Sequence, residues 1–172
     1  MRVANVIHGV SFAEVKHGNL IQFFDNNGTL HTGIKVHTAQ CDGVLFSIAH
    51  SPNERGTISW VRDSINPPWG HNLLLEFPDA LLHSDGFMKL PDGHRPKGGD
   101  LTIHADGTTM FLTKTSGSPL SALYVDMKTG QIAKANNAGM PPLIVSKWAI
   151  VIPTVEAGEV IVEFPERPER HA

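Results

Sequence analysis

Ten of the 172 residues are histidine, and imidazole is both the commonest metal ligand and the side chain best placed to move protons near neutral pH. Local spacing limits what these residues can do. His31 and His37 fall on one face of a single alternating segment, but six residues at about 3.3 Å each put them roughly 20 Å apart. No single ion, with bonds of about 2.1 Å, spans that distance. A metal centre would need ligands from separate segments. His71, His94 and His104 with Asp100 or Asp106 would suit, three of them converging at a sheet end and leaving one position for an activated water. That set implies a metal-assisted hydrolase using a divalent transition metal. His50 continues an apolar alternation and reads as a core-edge residue.

Two irregular stretches offer a different chemistry. Trp69 and His71 supply an aromatic platform and an imidazole, while His94, Arg95, Lys97 and the backbone N–H groups of Gly98 and Gly99 could surround an anion. A carboxylate, a phosphate or an acidic glycan would fit such a surface. A carbohydrate-active protein is a further reading, with Trp60 or Trp69 stacking on a sugar and two carboxylates acting as acid and base. The alternative for the whole loop is a solvated turn region with Trp69 covering the end of the core. The usual catalytic spacings are absent: there is no H-E-x-x-H, P-loop, G-x-G-x-x-G or G-x-S-x-G. Gly9-Val10-Ser11-Phe12-Ala13 only approximates the last. Cys41 with nearby His37 resembles a thiol–imidazole pair, but a thiol is reactive only where its thiolate is stabilised.

The clearest structural signals lie between Asp100 and Ala135. Leu101 and Ile103 alternate with Thr102 and His104, Asp106-Gly107 supplies a turn, and Met110 to Lys114 resumes a β-prone run; this predicts a hairpin. Two readings of the next segment stay open. Ser118-Pro119 before Leu120, Leu123, Tyr124 and Met127, with Lys128 and then Gly130, has the caps and spacing of a short helix. Leu123-Tyr124-Val125 followed by Thr129-Gly130 and Ile132 also reads as two strands in a meander, which we favour. In that form Asp106, Gly107, Asp126, Thr129 and Gly130 resemble one blade of a β-propeller of the lactonase or quinoprotein type. The resemblance covers this segment only and has no second copy, whereas propellers are built by repetition; no function is carried over from it.

Earlier in the chain, Val3 to Ile7 alternates like a first strand, and Ser11-Phe12-Ala13-Glu14 has capping-box spacing with Gly18 as a stop, enough for one helical turn. Leu20 to Phe24 and Thr29 to His37 flank Asn27-Gly28, which prefers the primed hairpin turn. Asn27-Gly28-Thr29 also fits the glycosylation pattern, read here as turn chemistry. In the outgoing strand Leu30, Thr32, Ile34 and Val36 share one face, and His31, Gly33, Lys35 and His37 the other, which should be wet. Val44 to His50 and Ile58 to Arg62 read as further strands, and Leu143 to Ile152 and Glu159 to Phe164 as the last.

Charged residues make up 18% of the chain, below the usual share of about 25%, and 16 Gly with 12 Pro indicate many turns. We therefore expect a mainly β protein: an antiparallel sandwich or barrel of about ten strands with at most one or two short helices. A single domain over 1–164 with a flexible tail over 165–172 is the expected organisation. The net charge of -3 gives no reason to expect a nucleic-acid partner. The lone Cys41 excludes an intrachain disulfide. No signal peptide or membrane span is seen, so the expected location is the cytoplasm, or a particle assembled there. With so many strand edges needing partners, the first expectation is a non-enzymatic binding or assembly module without a cofactor. Such a module would be a homo-oligomer or a component of a larger particle such as a phage virion.

Overall fold

The computed structural model describes residues 8–46, 57–61, 74–84, 99–104, 106–114, 122–134, 143–145, 147–153 and 158–164. These residues are mainly strands, with no helix among them. The expected strand over Val3 to Ile7, His50, the Ser118-Pro119 cap, both irregular stretches apart from Gly99 and Asp100, and the tail lie outside the described residues.

Fourteen strands are described, more than the expected ten, in three open antiparallel sheets. No described sheet closes into a barrel. The first sheet holds β1 (His8–Val10), β2 (Leu20–Phe24), β3 (Leu30–His37), β4 (Asp42–Phe46), β5 (Thr57–Val61) and β6 (Leu74–Phe77), in the order β1-β6-β2-β3-β4-β5. The second contains β8 (Leu101–Ile103), β9 (Thr109–Lys114), β10 (Ala122–Asp126), β11 (Ile132–Lys134) and β12 (Leu143–Val145), in the order β11-β10-β9-β8-β12. The third joins β7 (Leu81–Ser84), β13 (Trp148–Pro153) and β14 (Gly158–Phe164), with β13 in the centre.

The meander over Leu101 to Lys134 is as expected, and β10 takes the strand reading of its segment. The hairpin at Asn27-Gly28 also forms, but with a different turn. Gly28 N donates to Asp25 O at 3.0 Å and Asp25 N to Thr29 O at 2.9 Å, so Asn26 and Asn27 are the central residues and Gly28, at φ 80°, follows them. The β8–β9 turn repeats this pattern, with Gly107 N donating to His104 O and His104 N to Thr108 O. Both are three-residue loops ending on a left-handed glycine, and one aspartate in each supplies local acceptors that favour this form. Asp25 Oδ1 takes the N–H groups of Asn27 and Thr29, and Asp106 Oδ1 takes that of Thr108.

One core cluster draws on all three sheets: Leu20, Ile34, Val36 and Leu45 from the first, Leu101, Phe111, Val125 and Val145 from the second, and Trp148 and Ile150 from the third. Trp148 packs edge-on against Phe111, ring centroids 5.8 Å apart, and its indole N–H donates to Gly99 O at 2.9 Å. That bond lets a large ring be buried without stranding its polar atom.

The other face of the first sheet is not wet, contrary to expectation. Ile21, Phe23, Val44 and Leu74 form a second small core there, closed by Val15 with Val10 and Phe12 packed against it. Burial of a large apolar side chain is worth about 1.5–3 kcal/mol, so covering this face repays folding the segment Ser11 to Gly18 down on it. The capping box forms as a single turn, in which Ser11 N and Oγ both donate to Glu14 Oε2, at 2.9 and 2.6 Å.

Candidate functional site

Lys35 sits in the middle of β3, on the histidine face, and is only 3% exposed. A lysine there must satisfy its ammonium inside the protein. Nζ donates to Phe12 O at 2.9 Å and Val15 O at 3.0 Å, lies 3.3 Å from Asp42 Oδ2, and sits 4.6 Å from the Phe12 ring centroid. The covering turn is thus held by a buried cation. Glu76 holds its other end, accepting from Lys16 N at 3.0 Å and Asn19 Nδ2 at 2.7 Å.

Asp42 opens β4 directly across from His37. Its Oδ1 lies 3.1 Å from His17 Nε2, and the His17 and His37 rings stack with centroids 4.2 Å apart and planes 29° apart. Partial burial pushes the Asp42 carboxyl upward, but the hydrogen bond from His17 and the charge of Lys35 outweigh it and hold the group below the usual carboxylate range. The result is a chain of contacts along the rim of the second core, polar from Lys35 to Asp42 to His17 and stacked from His17 to His37. A carboxylate that fixes an imidazole in this way sets its tautomer and orientation. Among the described residues no nucleophile completes the arrangement: Ser11 is committed to Glu14, and Cys41 Sγ lies 3.5 Å from Thr38 Oγ1 while His37 stacks on His17. The thiol–imidazole pairing is therefore replaced by other contacts.

A second histidine–aspartate pair lies at the far end of the same strand. His31 Nε2 is 3.1 Å from Asp25 Oδ2, and its ring stacks on Phe23. The Asp25 carboxyl is lowered first by the Thr29 backbone bond and then by His31.

Of the residues expected to form a site, Trp69, His71, His94, Arg95 and Lys97 lie outside the described residues. His104 and Asp106 are described and flank the β8–β9 turn. His104 Nε2 lies 3.4 Å from Thr102 Oγ1, and Asp106, lowered mainly by its Thr108 backbone bond, is used in the turn. Asp100 is buried. The described residues contain no group of three or more His, Cys, Asp or Glu side chains placed to hold a metal ion.

Where the three sheets meet, a cleft of about 80 Å³ is lined by Leu20, Ile34, Phe77, Leu82, Met127 and Ile150 among others. At about 30 Å³ per water, it holds a few small groups and falls well short of the roughly 300 Å³ of a ligand pocket. Two glycines close its neighbourhood. Gly18 N donates to Lys35 O at 2.8 Å, and His37 N donates to Gly130 O at 2.9 Å, which brings the β10–β11 turn onto the first sheet beside a parallel bridge between His37 and Gln131.

Sequence reasoning passed over Lys35, Asp42 and His17. A signal for the first two existed, since a hairpin across Thr38 to Cys41 places His37 opposite Asp42 and Lys35 opposite Val44. His17 comes from a separate turn and carries no comparable local signal. No protein-family model, curated protein or solved structure matches the chain.

Proposed function

We propose that the chain is a non-enzymatic β module for binding or assembly, built as a sandwich of sheets, whose first partner is a second copy of itself, as a homo-oligomer or within a larger particle such as a phage virion. The observation that carries this reading is β7. Among the described residues it has a strand neighbour, β13, on one side only, and it presents Leu81 at 59% and Leu82 at 38% exposure. Its sequence, Leu-Leu-His-Ser, has none of the lysines or prolines with which edge strands block further pairing. Phe24 and Leu30, each 50% exposed and directly paired across the β2–β3 hairpin, add a second apolar surface.

Sedimentation velocity across a concentration series tests the proposal. The native chain should form a discrete oligomer, and Leu81→Lys, which places a charge on the edge, should shift it toward monomer. A native chain that stays monomeric at every concentration and binds no partner would overturn the assembly reading. An oligomer unchanged by Leu81→Lys would reject the β7 edge as its interface.

A further inference from the structure

We propose that Asn27 is a site of spontaneous deamidation and isoaspartate formation. It belongs to the only Asn-Gly pair in the sequence and stands exposed in the β2–β3 turn. Its side-chain amide makes no hydrogen bond to a described residue. Gly28 offers no steric shield, since a Cβ built there would meet nothing within 4 Å.

The backbone nitrogen of Gly28 attacks Cγ of Asn27. The bond from Cγ to the side-chain nitrogen breaks, and that nitrogen leaves as ammonia with the proton lost from Gly28. The five-membered succinimide that remains is opened by water at either carbonyl, giving aspartate or isoaspartate at position 27. Water is the only co-reactant. One contact restrains the reaction: the attacking nitrogen donates to Asp25 O at 3.0 Å, so the turn must open first. Asp25 governs that opening by holding Asn27 N at 2.8 Å and Thr29 N at 2.9 Å on one carboxylate oxygen.

The same structure shields the two described Asp-Gly pairs, which would pass through the same succinimide. That route requires a neutral carboxyl, because a carboxylate oxygen is a poor leaving group. Asp42, before Gly43, is paired with Lys35 and His17 inside the first sheet. Asp106, before Gly107, is held as a carboxylate chiefly by its Thr108 backbone bond. Modification at position 27 places a new carboxylate near that of Asp25 and, in the isoaspartate form, lengthens the turn backbone by a methylene group beside exposed Phe24 and Leu30.

The test is incubation of the full chain at mildly alkaline pH, followed by peptide mapping by mass spectrometry and enzymatic methylation of isoaspartate. Aspartate and isoaspartate should accumulate at position 27 ahead of any change at Asp42 or Asp106. The signal should vanish in Asn27→Gln and rise faster in Asp25→Ala. Isoaspartate arising first at Asp42 or Asp106, or an intact Asn27 in the folded chain while the denatured chain reacts there, would overturn the proposal. An unchanged rate in Asp25→Ala would overturn the gating role of that residue.

Discussion

Replacing Gly130 by alanine should destabilise the protein by about 2–3 kcal/mol. Gly130 has φ 70°, a conformation that costs an alanine about 1–2 kcal/mol. Contact adds to this. A Cβ at this position would stand 2.4 Å from Lys35 O and 2.7 Å from Gly18 N, and both are backbone atoms that cannot rotate aside. Restoring ordinary van der Waals separation requires the β10–β11 turn to withdraw by about 1 Å. That movement weakens the bond from His37 N to Gly130 O, worth about 1 kcal/mol. Urea denaturation reads the loss as a lower midpoint at unchanged slope. Gly28→Ala and Gly107→Ala are the controls, since both sites have positive φ but open space around the added Cβ. They should lose only the conformational part, about 1–2 kcal/mol. A Gly130→Ala loss no greater than these would refute the packing argument.

Three further outcomes are expected. Lys35→Met should cost about 2–4 kcal/mol in the same assay, because Phe12 O and Val15 O lose their buried donor; a neutral result would mean that the covering turn holds without it. Stability should fall on acidification: Asp42 and Asp25 have folded pKa values below their usual range, so their contribution is complete above about pH 3.9 and is lost as pH drops through the folded values. Denaturation curves taken between about pH 5 and 2 should show a shallower acid loss in Asp42→Asn. Thr113 is 1% exposed and its hydroxyl has no hydrogen-bond partner among the described residues, so Thr113→Val should raise the melting temperature by removing a desolvated polar atom that costs about 1–3 kcal/mol.

The hairpins were legible because their determinants are local. Asp25 with Gly28, and Asp106 with Gly107, hold the side-chain acceptors and the positive φ within a few residues. Their exact turn form was not, because an Asn-Gly or Asp-Gly pair serves a two-residue loop or the end of a three-residue loop equally well. Alternation along β3 identified its two faces but could not say what lay over each. His31 and Lys35 suggested water, yet Phe12 and Val15 cover that face from a turn about twenty residues earlier, whose carbonyl groups supply the buried ammonium. Gly18 and Gly130 read separately as a stop and a turn. Nothing in either neighbourhood reveals that each is glycine because the other segment's backbone passes through the space of its missing side chain. Of the candidate site, only the Asp106 turn and the His37–Asp42 pairing were within reach of local reasoning.

The junction at Gly18, Lys35 and Gly130 also bears on the order in which the chain folds. The strands on either side of it pair mostly with near neighbours through short turns, whereas closing Lys35 onto Gly130 spans roughly ninety residues, and loop-closure entropy rises with length. Local meanders should consolidate first and this crossing afterwards. In kinetic terms, the contact part of the Gly130→Ala loss should speed unfolding, as expected for contacts absent from the transition state, while the conformational part, which belongs to the local β10–β11 turn, slows refolding. The crossing would then serve less to guide the chain into its fold than to slow its escape.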